Sequence, residues 1–413
     1  MKIIFGFSWI ACFCMLVMAP ARPIRAQALE LVSDYPLQDG ALGICIDNYI
    51  AYIAHDMAGV TVVDISDPLI PSVIGQFDTP GFVRSIAVRG GYAYIADGDS
   101  GLIIADVSTP SSPTLVGSYD TAGTALTVFL PEGNYAYVAN GYSGMLVINV
   151  ADPANPILFG SYASGGYLMG VAVAGNYAYV TANFVEPDFG DVLILDISNP
   201  AIPEFRTDQQ VPGGAYGIAI AGNYAYVCAF TYGLRIIDIS NPSAPVNAGI
   251  YDSPGSAKHA SVDSSIVYVA DHTAGVQAID ITDPFNPVFI DNYDTRGLAT
   301  DILASGGYAY TADDVALVTL QLSTSACNYL PGDVNDVPPA NGIDVTYGVA
   351  YFKGGNPPPL ACADCPDAGQ SLFAALDVNG SCTTNGIDIT YFVGYLKGGP
   401  SLNYCPNCPP PGM

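Results

Sequence analysis

The residues best suited to chemistry lie beyond Thr324. Two twelve-residue stretches there run from Asp333 to Asp344 and from Asp377 to Asp388. Each places oxygen-bearing side chains at its positions 1, 3, 9 and 12: Asp333, Asn335, Asn341 and Asp344 in the first, Asp377, Asn379, Asn385 and Asp388 in the second. That is the spacing of a calcium loop, because a hard cation takes six to eight oxygens and a carboxylate at both ends lets the turn close around it. The second loop adds Ser381 at position 5, where the first has Val337, and Pro338 and Cys382 stand where such loops carry glycine. Each stretch leads into a short amphipathic segment that Gly354 or Gly398 would terminate as a helix. The competing reading is a loop held by its own hydrogen bonds and by disulfides.

Cysteine is the second chemical signal. Cys327, Cys362, Cys365, Cys382, Cys405 and Cys408 crowd the same region, four of them as Cys-x-x-Cys pairs. Two such pairs could hold zinc. Flanking prolines and an exported chain favour disulfides, whose connectivity spacing alone does not determine. Histidine is scarce. His55, His259 and His272 are expected in different blades of the repeat described below, without metal-type spacing. Acid–base chemistry would centre on His259 beside Lys258. Elsewhere the candidates are aromatic and cationic loop residues: Phe82, Arg84, Tyr142, Tyr167, Phe184, Phe189, Tyr216, Phe230 and Tyr232. Aromatic surface with a few polar groups suits a peptide or glycan site, although ordinary decorated loops have the same composition.

The elements that must position these residues are set by a repeat. The unit Gly-Asn-Tyr-Ala-Tyr-Val at 175–180 recurs with small changes, its second tyrosine at Tyr52, Tyr94, Tyr137, Tyr179, Tyr226, Tyr268 and Tyr310. The steps are 42 or 43 residues apart from one of 47. A period near 42 matches one four-stranded propeller blade. Within a copy the pieces are short apolar or alternating runs bounded by glycine, aspartate and proline, with no 3.6-residue periodicity. The tyrosines share one strand face and are expected in the contacts between blades, each hydroxyl reaching a polar partner. A turn of the type Asp-Ile-Ser-Asn-Pro, with a second proline three residues on, marks the bend into the outer strand. The seventh copy stops at Ser323 without an outer strand, whereas Leu29–Tyr35 resembles one, so the N-terminal strand is expected to complete the last blade. The insertion at 183–190 is expected as a long loop, contributing to an aromatic cluster over blades three to five.

Composition bounds the partners. The formal net charge is −27, with 38 acidic and 11 basic residues, which opposes nucleic acid and anionic lipid and favours cations. Residues 1–28 read as a secretory leader: Lys2, an apolar run over 3–18, and Ala26-Gln27-Ala28 before cleavage. No later segment is apolar enough to span a membrane, so a secreted or cell-surface protein is expected.

Leu-Arg-Ile-Ile-Asp-Ile-Ser at 234–240 and Leu-Ile-Leu-Asp-Ile-Ser at 193–198 resemble the LVIVD repeat of bacterial secreted and surface propellers. This implies an all-β, seven-bladed β-propeller over 29–323, associated with interactions at the cell surface; a monomeric propeller is expected. The duplicated loop–helix unit over 324–413 is similar to a type I dockerin, a small α-helical module that binds cohesin domains. That resemblance implies calcium held by Asp333, Asn335, Asn341 and Asp344, and by Asp377, Asn379, Ser381, Asn385 and Asp388, with a cohesin-like protein as partner. The expected function is therefore non-enzymatic binding of a protein or surface glycan. The rivals are a hydrolase or lyase acting on an extracellular polymer, and a purely structural adhesion component.

Overall fold

The computed structural model of the chain describes residues 27–37, 40–184 and 189–323. Residues 1–26 of the leader, the calcium loops and the six C-terminal cysteines lie outside the described residues. Gln27–Ser323 is one compact unit of seven antiparallel four-stranded sheets, with no helix among the described residues. Blades 1 to 6 cover residues 41–77, 85–119, 127–162, 167–212, 218–251 and 259–293, each running in chain order from inner to outer strand. Blade 7 takes its three inner strands from 299–323 and its outer strand from Ala28–Pro36.

Strands packed on both faces must be apolar throughout, and the tyrosine strand shows it. In Tyr177–Asn183 every residue between the two ends is buried. Tyr137 and Ala139 of blade 3 pack with Met145 and Val147 against Ala178, Val180 and Ala182 of blade 4. Large tyrosines thus meet small alanines across each junction, which brings neighbouring sheets to interior packing density. The tyrosine hydroxyls differ from expectation. None has a protein partner among the described residues, and none is sealed from solvent, so each tip meets water at the blade edge. Burial of the ring still pushes the phenols of Tyr52, Tyr179, Tyr226 and Tyr310 up to about 12.

The proline turns are built as the sequence suggests. Asp106 accepts the Ser108 backbone N–H at 2.9 Å, and Asp64, Asp196, Asp238 and Asp280 repeat the arrangement. These hydrogen bonds hold the Asp64, Asp106 and Asp238 carboxyls below their ordinary range. Each turn is also a packing element. A Cβ on Gly117, in the outer strand of blade 2, would lie 2.2 Å from the carbonyl oxygen of Pro153 in the next blade's turn. Only glycine admits that approach.

The insertion at 183–190 does not simply enlarge a loop. It lengthens two strands of blade 4, so that Asn183 pairs with Gly190 and Phe189 with Pro212. Backbone groups carried past the normal turn satisfy one another by continuing the ladder.

Closure follows from the N-terminal strand. Leu29 pairs with Leu322 and Tyr35 with Leu317, with one register shift between Leu31 and Ser33. The Leu29 side chain packs with Tyr268 and Val276 of blade 6, and its N–H donates to Asp291 at 2.8 Å. Deleting 28–36 is expected to abolish the sharp thermal transition and to enlarge the hydrodynamic radius, both readable on the full chain. Tyr179→Ala should lower stability by about 3–5 kcal/mol in urea denaturation, as for other large-to-small core changes. Exposed Tyr142→Ala should cost less than about 1 kcal/mol.

Candidate functional site

One face of the ring collects the loops that join blades and the loops between second and third strands. The repeated acidic or amide residue after the tyrosine strand ties the two kinds of loop together. Asp97 accepts Thr79 Oγ1 at 2.7 Å and the Gly81 N–H at 2.8 Å, and Asp271 does the same with Ser253 and Gly255. Burial raises both carboxyls above their ordinary range, against the lowering effect of these hydrogen bonds. Such residues hold the loops and are not free to act on a ligand.

The sequence-predicted aromatics lie on this face but do not form one cluster. Tyr142 and Tyr167 meet edge to face at 4.8 Å, joining blades 3 and 4. Phe184 covers Gly166 nearby. Phe189 lies at the start of the lengthened strand and is exposed. Phe82 stands apart in blade 2, with the Arg84 guanidinium 5.9 Å from its ring centre and Asp56 4.0 Å from Arg84. The densest group belongs to blades 5 and 6. Tyr216 and Phe230 stack at 5.2 Å, Tyr232 covers Gly213, and the Lys258 ammonium lies 5.0 Å and 4.5 Å from the Tyr216 and Phe230 ring centres. Burial pushes the Lys258 ammonium below its ordinary value. Sequence reasoning placed Lys258 with His259 on the ligand-face loops but gave it no role beyond acid–base chemistry with that histidine. Its position over two rings depends on the hydrogen bond of Gly217 N–H to the Lys258 carbonyl at 3.0 Å, which pins the two blades together.

Backbone geometry at one repeated turn also marks this group. After the second strand, blades 2 and 3 use Gly98 and Gly141 in the left-handed region, at φ 58° and 55°. Blades 5 and 6 put Phe230 and His272 there instead, at φ 52° and 53°. A side chain in that conformation costs about 1–2 kcal/mol, so the scaffold carries strain where glycine would remove it.

His259 begins the inner strand of blade 6, and its Nδ1 lies 3.0 Å from Asp301 of blade 7. Asp301 also accepts the Ile44 N–H of blade 1 at 2.9 Å, so the pair spans three blades at the closure. His272 is in blade 6 too, not in a different blade as expected from spacing. The inner strand and the second-to-third loop of one sheet lie on the same face, which brings positions 259 and 272 to one blade. His55 is buried in blade 1. Among the described residues no group of three or more His, Cys, Asp or Glu side chains could hold a metal ion. Cys45 and Cys228 are free thiols, and burial drives both above the ordinary range. The inner strands line a cavity of about 500 Å³, bordered by Phe129, Val173, Ile218, Ser261, Val262 and Leu303.

Burial alone would lower the His259 imidazole, but the charge and hydrogen bond of Asp301 hold it above its ordinary value. The stabilising pair is fully present below the unfolded-state pKa of about 6.5 and is lost as pH rises through the higher folded-state value. Burial and the nearby Lys258 charge shift His272 the other way. NMR titration should show His259 titrating above and His272 below 6.5, and Asp301→Asn should bring His259 below 6.5 as well.

A family model for the LVIVD repeat matches seven consecutive segments: 44–79, 80–121, 122–164, 165–207, 212–253, 254–295 and 296–323. No curated protein matches the chain. Among solved structures, the Cps50 (Swd1) β-propeller domain of Myceliophteria thermophila is similar at 9% identity and TM-score 0.56, over 70% of this chain and 100% of that one. A chain of the mitotic checkpoint complex is similar at 12% and 0.55, over 78% and 99%. The computationally designed Ika8 protein is similar at 10% and 0.53, over 70% and 98%. Identities this low establish a shared fold and nothing further. Seven matched repeats, one for each blade of a closed ring, make this chain a member of the LVIVD-repeat family.

Proposed function

We propose that the protein is an exported interaction scaffold, secreted or held at the cell surface. Its propeller binds a protein or glycan, and its C-terminal module attaches it in a calcium-dependent manner. The observation that carries this reading is the unequal decoration of the ring. The repeat would be satisfied by glycine and small residues at the loop turns, yet one face concentrates Tyr142, Tyr167, Tyr216, Phe230 and Tyr232 on blades 3 to 5. Exposed aromatic groups around a rigid frame are how binding surfaces gain contact area at low entropic cost.

The attachment half rests on sequence. Residues 1–28 would direct export and be removed. Asp333, Asn335, Asn341 and Asp344 would ligate one calcium, and Asp377, Asn379, Ser381, Asn385 and Asp388 the second. The six surrounding cysteines would form disulfides rather than zinc sites, and a cohesin-like protein or a surface glycan would be the anchor. A second reading has one specific observation in its favour. The His259–Asp301 pair next to Lys258 offers a base and a cation on the loop face, which a hydrolase or lyase acting on an extracellular polymer could use.

Calorimetric titration of the full chain with calcium, before and after chelation, tests the attachment reading. Two ions should bind, with Asp333→Ala and Asp377→Ala each removing one. A chain that binds no calcium, or that stays attached to its cells in excess chelator, would end it.

A further inference from the structure

We propose that the Lys258 group on blades 5 and 6 is a binding site for a carboxylate-bearing sugar, a uronate, whose carboxylate pairs with the Lys258 ammonium while its ring lies against the neighbouring aromatics. The proposal rests on reading this face as the binding face and assigns the ligand class.

Charge pairing is the first support. Six basic side chains fall among the described residues of a chain whose net charge is −27. Arg84, Arg206, Arg235 and Arg296 each face a carboxylate, at 4.0, 2.6, 3.4 and 2.9 Å, and Arg89 donates to the Pro131 carbonyl. Of the six, Arg89 and Lys258 face no carboxylate, and Arg89 has a carbonyl acceptor that Lys258 lacks. In so acidic a protein, a cation without an acid is the exception. Its three N–H donors have no acceptor among the described residues, and only the two ring faces offset its partial burial. Cation–π attraction holds the charge in place but leaves those donors unused. A carboxylate fills them.

The surroundings favour a sugar over a peptide. Peptides that add to a sheet need an open strand edge, and the edges here are the outer strands at the circumference and the inner strands at the centre, not the loops that carry Lys258. The Lys258 group offers ring faces and loop backbone instead. Tyr232 is exposed two residues beyond Phe230 in the same turn, and the Phe230 ring centre lies 4.5 Å from the Lys258 ammonium. Backbone bridges of Phe230 with Ala257 and of His272 with Ala299 tie both turns to the loops that carry and border the lysine. His259 is occupied with Asp301, which leaves Lys258 as the free charge.

The test is calorimetry on the full chain with trigalacturonate and with neutral trigalactose as its counterpart. The acidic sugar should bind at least about tenfold more tightly than the neutral one. Lys258→Met keeps the stem over the rings and should abolish that preference, while Lys258→Arg keeps it. Thermal melting of each variant checks the fold, and Tyr232→Ala, on an exposed side chain, should weaken the acidic sugar without changing the melt. Equal binding of the two sugars, an unaffected Lys258→Met variant, or no uronate binding at millimolar concentration overturns the proposal. So does tighter binding of a tripeptide with a free C-terminal carboxylate. Binding to a glycan or peptide array that survives Lys258→Met but is lost in Phe230→Ala would remove the uronate and leave the binding face standing.

Discussion

The pairing of residues 28–36 with 316–323 is the constraint on which the rest of the structure depends. A blade is apolar on both faces, so each sheet needs a neighbour on either side, and a ring supplies one to every blade only if it closes. The closing strand reaches across the seam. Leu29 packs into the junction of blades 6 and 7, and Tyr35 joins the junction of blades 7 and 1 with Ile44, Ile53 and Tyr310. Polar contacts follow the same path. His259 meets Asp301, Asp301 accepts from Ile44, and Thr300 Oγ1 donates to the Ala41 carbonyl at 2.7 Å. The first and last described residues of the propeller therefore belong to the same blade.

A closed ring also separates stability from specificity. Tyrosine against alanine, aspartate in the proline turn and glycine under the next blade's carbonyl are used blade after blade, so no single copy can take on a ligand role without weakening a junction. The positions that depart from the pattern are the ones available for function. Phe230 and His272 replace glycine at a left-handed turn, Lys258 stands over two rings without an acid, and the insertion extends blade 4 on the same face. At the turn after the second strand, the left-handed side chains and the unpaired charge are both costs to the fold, and both fall on blades 5 and 6.

Much of the fold was legible because its determinants are local and repeated. The tyrosine period, the proline pairs and the missing outer strand at Ser323 lead from sequence to seven blades and to the closing strand. What the sequence did not disclose depends on geometry between strands. Placing His259 and His272 in one blade requires knowing where the blade begins. The solvent-facing tyrosine tips depend on strand ends, and the continued ladder at Asn183 and Gly190 on register. Of the aromatic site, the residues were legible but their grouping was not, since Tyr142–Tyr167 and Tyr216–Phe230–Lys258 are two groups on adjoining blades. Lys258 was hidden for a further reason: a lone lysine has no motif, and only the absence of a carboxylate around it gives it meaning.

The central claim is that a uniform ring carries its ligand at the departures from uniformity. Hydrogen exchange on the full chain, read by mass spectrometry with and without trigalacturonate, tests it most directly. The account predicts slowed exchange at 213–217, 229–233, 256–259 and 271–275, with the equivalent loops of blades 1 and 2 unchanged. Protection spread evenly around the ring, or confined to blades other than 5 and 6, would contradict it.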